Sequence, residues 1–298
     1  MNRRGFVACS AALFGARWAL GAKSHITKAR IAAITDEIGK TQADAVAFAK
    51  QFSLQWVELR NVPESGKEFA ALPEAELKRY AAELSASKLK VSLLKTSLLK
   101  FPWPELSPES ANDANKQRWD RRNDDLARAI RAAQILGTDK IRVFTGARVA
   151  TPASAYAAIA RTLAEMSAAA QKAGVRLLIE NEPSQNIATC AELKEILDLI
   201  PSKAVGFDWD PWNAIALHEA VWPESYAQLP KARLWNLQIK AEALAGGPGA
   251  LNWRNVMNAM QKDGFAGNVT LATEVFDGTF DKAGEAMRDV QHFVGELD

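Results

Sequence analysis

Eight short apolar runs separated by longer amphipathic segments constrain this chain more than any other feature of its sequence. The runs are RIAAIT (30–35), WVELR (56–60), KVSLLK (90–95), KIRVFTG (140–146), VRLLIEN (175–181), AVGFDWD (204–210), LWNLQIK (234–240) and VTLATEVF (269–276). Their length and their branched and aromatic content are those of buried strands. Between them, ADAVAFAKQF (43–52), EAELKRYAAELSAS (74–87), RNDDLARAIRAAQIL (122–136), AYAAIARTLAEMSAAAQKAG (155–174) and AELKEILDLI (191–200) are the clearest helices. They repeat apolar residues three and four apart, as a helix with one packed face requires. Gly137 and Gly174 close helices just before the next strand.

Strand and helix in alternation mean βαβ units and a parallel sheet. Eight such units in a chain of 298 residues predict a single-domain α/β fold, a (β/α)8 TIM barrel, which takes about 250 residues. A doubly wound sheet would more often place a glycine-rich phosphate loop after its first strand, and ITDEIGK (34–40) is not one. An irregular stretch from roughly 96 to 118 follows the third strand, where a barrel carries an active-site lid.

The N-terminus reads differently. Residues 1–22, MNRRGFVACSAALFGARWALGA, combine a basic start, a modest apolar stretch and a small-residue end, the plan of a signal peptide. Arg3, Arg4 and Phe6 resemble a twin-arginine export signal, so residues 1–22 are read as that signal and 23–298 as the barrel. The rival is a cytoplasmic protein with an arginine-rich start. Export places the mature protein in the periplasm or outside the cell. Cys9 leaves with the signal and Cys190 remains alone, which excludes an internal disulfide. No later apolar run approaches the roughly 20 residues of a membrane span. With 37 basic and 35 acidic side chains, the chain lacks the concentrated positive surface that nucleic-acid binding requires.

In a TIM barrel the chemistry sits at the C-terminal ends of the strands. Runs five to eight end at Glu180, Asp210, Gln238 and Glu274. Residues of like parity share a strand face, so Asp208 points inward with Asp210, and Asn236 and Lys240 with Gln238. Three carboxylates and an amide on one sheltered rim repel one another unless a cation neutralises them. A divalent ion is the simplest remedy, and an all-oxygen ligand set favours Mg or Mn, or Ca, over Zn.

Those residues also carry a family resemblance that spans essentially the whole mature chain. The EN pair Glu180–Asn181, VGFDWDPWN with Asp210 and Asn213, and Glu274 in LATEVF resemble the xylose isomerase-like sugar phosphate isomerase/epimerase barrels. Where many relatives read His-x-Lys-Asp on strand seven, this chain has Gln238, Lys240 and Ala241, similar to hydroxypyruvate isomerase-like members in its glutamine. The resemblance implies metal ligands at Glu180, Asp210, Gln238 and Glu274. It implies proton transfer by Glu180 and Glu274, with Lys240 orienting or neutralising a substrate oxygen, through an enediolate formed next to a carbonyl. Isomerisation, epimerisation and β-elimination all begin in this way.

Glu182, Asn213, Trp103, Trp212 and Arg60 are the candidate substrate contacts; Trp103 and Trp212 offer aromatic faces to a sugar. Glu58 and Arg60 are read either as an internal ion pair or as substrate contacts. Trp209, out of phase with Asp208 and Asp210, is expected outside the barrel. His25, His218 and His292 fall at no strand end, which argues against the zinc-dependent apurinic endonuclease that shares this fold. Export and the missing phosphate loop favour an unphosphorylated keto-sugar, oxidised glycoside or cyclitol as substrate. A lyase or dehydratase and a metal-free sugar-binding barrel are the alternatives. A homo-oligomer is left open.

Overall fold

The computed structural model describes residues 25–241, 244, 251–273 and 280–297. Residues 1–22, expected as an export signal, Glu274 and the GGPGA stretch at 246–250 lie outside the described residues.

All eight expected strands form: β1 (Ile31–Ala33), β2 (Trp56–Leu59), β3 (Lys90–Lys95), β4 (Lys140–Val143), β5 (Arg176–Glu180), β6 (Val205–Trp209), β7 (Leu234–Lys240) and β8 (Asn268–Ala272). They pair in parallel in the order β1-β8-β7-β6-β5-β4-β3-β2. A parallel bridge between Ile34 and Glu58 brings the two ends of the sheet together into a nearly closed barrel. The described helices are α1 (Gln42–Gln51), α2 (Glu74–Ala86), α3 (Asp113–Asp120), α4 (Arg122–Leu136), α5 (Tyr156–Lys172), α6 (Cys190–Leu199), α7 (Pro211–Ile215), α8 (Tyr226–Gln228), α9 (Trp253–Lys262) and α10 (Phe280–Gly295).

Local chemistry sets several of these boundaries. α1 and α6 each start with a capping box, Thr41 with Asp44 and Thr189 with Glu192, which satisfies amide groups the first turn leaves open. Gly137 ends α4 at φ 78°, a left-handed conformation that favours glycine.

Alternation along the strands sorts the side chains. Ile141, Val143, Leu177, Ile179, Phe207, Trp209, Leu237, Ile239, Val269 and Leu271 join the apolar layer shared with the helices. Trp209 packs there against Tyr226, with ring centroids 5.3 Å apart, as its phase predicts. The opposite parity lines the barrel. Leu93, Leu178 and Trp235 form a separate small apolar cluster, which Trp235 joins out of phase as the extra residue of β7. Gly206 makes room for it, because a Cβ there would meet the Trp235 ring at 2.5 Å. Beyond this cluster, toward the C-terminal ends, the interior is almost wholly polar.

The stretch after β3 corrects one expectation. Leu98, Leu99, Phe101 and Trp103 are buried, and the chain re-enters a helix at Asp113. The Trp103 indole N–H donates to the Leu99 carbonyl at 3.1 Å, and its ring lies 4.9 Å from that of Trp119. Trp103 is an apolar anchor that pins this segment to the barrel, and presents no face to a sugar. Among the described residues no helix is long and apolar enough to cross a membrane.

Candidate active site

Lys95, at the end of β3, occupies the middle of the polar interior with its side chain 1% exposed. Its ammonium lies 3.2 Å from Asp208 Oδ2, 3.4 Å from Glu58 Oε2 and 3.9 Å from Glu180 Oε2. Thr270 and Asn236 donate to Glu58 Oε1 at 2.6 and 2.7 Å, and Asn236 also donates to Asp208 Oδ1 at 2.9 Å. The Gln238 amide donates to Asp208 Oδ2 at 2.7 Å. Register breaks leave an extra residue on β3, Ser92, opposite the Val57–Glu58 step of β2, and on β7, Trp235, opposite the Phe207–Asp208 step of β6. Such irregularities re-aim side chains, and here they precede Lys95 on β3 and the amides Asn236 and Gln238 on β7.

Nearer the mouth, the Arg142 guanidinium of β4 donates to Glu180 Oε2 at 2.6 Å and to the Thr96 carbonyl at 3.1 Å. Asn181, the second residue of the EN pair, locks β5 to β6. Its amide donates to the Asp210 carbonyl at 2.7 Å, and its carbonyl oxygen accepts from the Asp210 N–H at 2.8 Å. Asp210 caps α7 by accepting from the Asn213 N–H at 3.2 Å. Lys240 donates to Asn213 Oδ1 at 2.7 Å and lies 3.5 Å from Asp210 Oδ2.

These surroundings separate the carboxyls. Burial drives the Glu180 carboxyl upward, but Arg142 and Lys95 outweigh it and hold the group well below the usual range. Burial, opposed by Lys240, takes Asp210 up to about 7. Burial also raises Asp208, against the pull of Lys95. The Lys95 ammonium is disfavoured by burial, yet Asp208, Glu180 and Glu58 together raise its pKa and keep it charged. Glu180 is therefore a fixed anion, while Asp210 exchanges a proton near neutral pH.

The donor set expected for a divalent ion is met only in part. Asp210 Oδ2 is buried and accepts no hydrogen bond among the described residues, which suits a ligand. Glu180 Oε2, by contrast, is taken by Arg142. The expectation of a metal rested on the family resemblance and on carboxylates without a cationic partner. Instead Glu58, Glu180, Asp208 and Asp210 each have a protein cation within 4 Å. A divalent ion placed among Lys95, Arg142 and Lys240 would meet three positive charges in a sheltered site. Among the described residues no three His, Cys, Asp or Glu side chains are grouped as a metal site. The described donors do not fit a divalent ion.

The remaining expectations divide. Asp208, Asn236, Gln238 and Lys240 face inward together, as parity requires. Arg60 pairs with Asp36 and Glu37, at 2.9 and 2.8 Å, and not with Glu58, whose cation is Lys95. Glu182 is partly exposed, accepts from the Ser184 hydroxyl at 2.5 Å and lies 4.0 Å from Lys100. Asn213 supports Lys240 and donates to the Asn181 carbonyl at 2.8 Å. Trp212 is half-buried and packs against the apolar core. All three histidines are exposed. Lys95 and Arg142 were missed. The available signal was a basic residue inside or ending an apolar run, in phase with the inward face.

The profile of the Xylose isomerase-like TIM barrel family matches residues 46–294. Solved structures share the fold, among them the following three. A xylose isomerase-like TIM barrel protein from Mycobacterium smegmatis, in complex with magnesium, is 14% identical with a TM-score of 0.65, over 91% of this chain and 99% of that one. The IOLI protein, with a zinc atom bound, is 14% identical with a TM-score of 0.68, over 90% and 99%. D-psicose 3-epimerase, crystallised in the presence of D-fructose, is 12% identical with a TM-score of 0.62, over 89% and 97%. No curated protein matches the chain by sequence. With a family profile that covers most of its length and an eight-stranded parallel barrel to go with it, the chain belongs to the xylose isomerase-like TIM barrel family.

Proposed function

We propose that the mouth of this barrel binds an unphosphorylated keto-sugar, oxidised glycoside or cyclitol and moves a proton at a carbon next to its carbonyl, as an isomerase or epimerase. The observation that carries this reading is the apposition of Asp210 and Lys240 at the C-terminal ends of β6 and β7, 3.5 Å apart. A carboxylate accepts the carbon-bound proton, and an ammonium stabilises the negative charge that develops on the enediolate oxygen. Asn213 holds Lys240 in place, and Arg142 keeps Glu180 ionised as an acceptor for substrate hydroxyls. Glu274, two residues beyond the end of β8, is proposed as the second proton carrier. Return of the proton to the same carbon from the other face gives an epimer; its delivery to the neighbouring carbon gives an isomer.

Sugar-acting proteins among the structural neighbours support the substrate class. The twin-arginine-like N-terminus supports an extracytoplasmic setting, and with it an unphosphorylated substrate. The test is deuterium wash-in from heavy water into a panel of free keto-sugars and oxidised glycosides. Exchange at a single carbon is the expected result. Loss of water from the product would mark the elimination reading. Exchange confined to sugar phosphates would overturn the substrate class, and exchange on none of them would leave a sugar-binding barrel without catalysis.

A further inference from the structure

We propose that Lys95 is the resident cation of this barrel, and that its ammonium, held among Glu58, Glu180 and Asp208, occupies the electrostatic role of a divalent ion and keeps the site metal-free. An ammonium carries three N–H donors, and three carboxylates from three strands surround this one at 3.2, 3.4 and 3.9 Å. It reaches them from β3, across the barrel from β6, and its side chain is buried throughout. An extra residue in β3, Ser92, falls where Glu58 pairs with Leu93, and it sets the inward phase of Leu93 and Lys95 that follow it. Most of the oxygen contacts of Glu58 and Asp208 are with protein donors. Glu58 Oε1 accepts from Thr270 and Asn236, and Asp208 accepts from Asn236 and Gln238. Glu58 Oε2 accepts no hydrogen bond and faces the Lys95 ammonium instead.

The strand that carries Lys95 gives it no exposed alternative. Leu93, two residues earlier on the same face, is fully buried against Leu178 and Trp235, so the lysine stem continues an apolar wall and delivers its charge above it. A divalent ion drawn to Glu180 would have to displace the Arg142 guanidinium and settle beside Lys95. A covalently attached cation cannot be stripped by a chelator or lost by dilution. Removing its charge should therefore uncover an unpaired acidic cluster that recruits a metal from solution. This inference concerns the same cavity as the proposed activity, but its readout is metal binding, which does not depend on turnover.

The experiment is titration of chelator-free full-length protein with Mn2+, followed by calorimetry and by the electron paramagnetic resonance signal of free Mn2+. Wild type is expected to show no stoichiometric site and no rise in melting temperature. Lys95→Ala, and Lys95→Met as a variant that keeps the stem, are expected to bind Mn2+ at least tenfold more tightly than wild type and to melt higher in its presence. Stoichiometric Mn2+ binding by wild type that disappears in Glu180→Gln would overturn the proposal. So would Lys95 variants that fold as stably as wild type and ignore Mn2+. If neither Lys95 variant folds, the comparison of wild type with Glu180→Gln decides alone.

Discussion

Asp210 Oδ2 lies 3.5 Å from the Lys240 ammonium while accepting no hydrogen bond among the described residues. Among the described residues this oxygen and Glu58 Oε2 are the buried carboxylate oxygens of the site without a hydrogen bond. Asp210 Oδ1 is spent on the α7 cap, and Asn181 fixes its backbone from both sides. Removing its charge therefore alters chemistry with little change of shape. Asp210→Asn is expected to slow deuterium wash-in by about 10²–10⁴-fold, the range of a general base. The asparagine still caps the helix, so calorimetry should find the melting temperature unchanged or raised.

Lys240 tests the other half of the pair. Lys240→Met keeps most of the stem and removes the charge that faces the developing oxyanion. Loss of one such stabilising group lowers turnover by about 10²–10³-fold. Steady-state kinetics should show the loss chiefly in kcat. A change confined to KM would assign Lys240 to ground-state binding alone.

Arg142 bears on stability. It sits 2.6 Å from Glu180 in a buried ion pair, and deleting one partner of such a pair costs about 3–5 kcal/mol because the other charge is left uncompensated. Arg142→Met is expected to lower unfolding stability by that order in urea titrations. Arg142→Met combined with Glu180→Leu should recover most of it. No recovery in the double variant would show that Arg142 acts through Thr96 or Phe144, which it also touches.

The carboxyl shifts set the dependence of stability on pH. Asp210 has a folded-state pKa of about 7, above its unfolded value of about 3.9. The folded state therefore binds the extra proton between those values, and stability increases as pH falls from 7 toward 4. Glu180 is depressed in the folded state, so its contribution is present above its unfolded value of about 4.3 and is lost as pH falls below it. Melting temperature should pass through a maximum between pH 4 and 6. Asp210→Asn should flatten the neutral arm and leave the acid arm intact.

Trp103 separates packing from recognition. Its side chain is fully buried, and truncating a buried Trp to Ala costs about 3–5 kcal/mol. Trp103→Ala should lower the melting temperature, and the folded fraction should retain wild-type affinity for any sugar that binds. Lost affinity without lost stability would restore Trp103 to the substrate site.

Much of the site was legible in strand phase. Asp208, Asp210, Asn236, Gln238 and Lys240 were placed on inward faces and Trp209 on the outer face by alternation alone, and they lie there. Phase is a property of one strand's backbone, so it needs no knowledge of the neighbours. Glu274, by contrast, falls outside the described residues, and its expected role stands as a proposal. Lys95 and Arg142 are basic residues in apolar runs whose carboxylate partners lie on other strands. Their meaning emerges only when β3 and β4 are set against β5 and β6.

By itself the sequence determined the barrel: eight strand-length runs, helices with one apolar face between them, and inward polar residues at the strand ends. These follow from periodicity and burial, which are local. Only the tertiary structure decided which charges meet. Barrel closure and the extra residue Ser92 on β3 bring Lys95 among three carboxylates that are far apart in sequence. Charge pairing depends on distances across the barrel, and no local pattern encodes them.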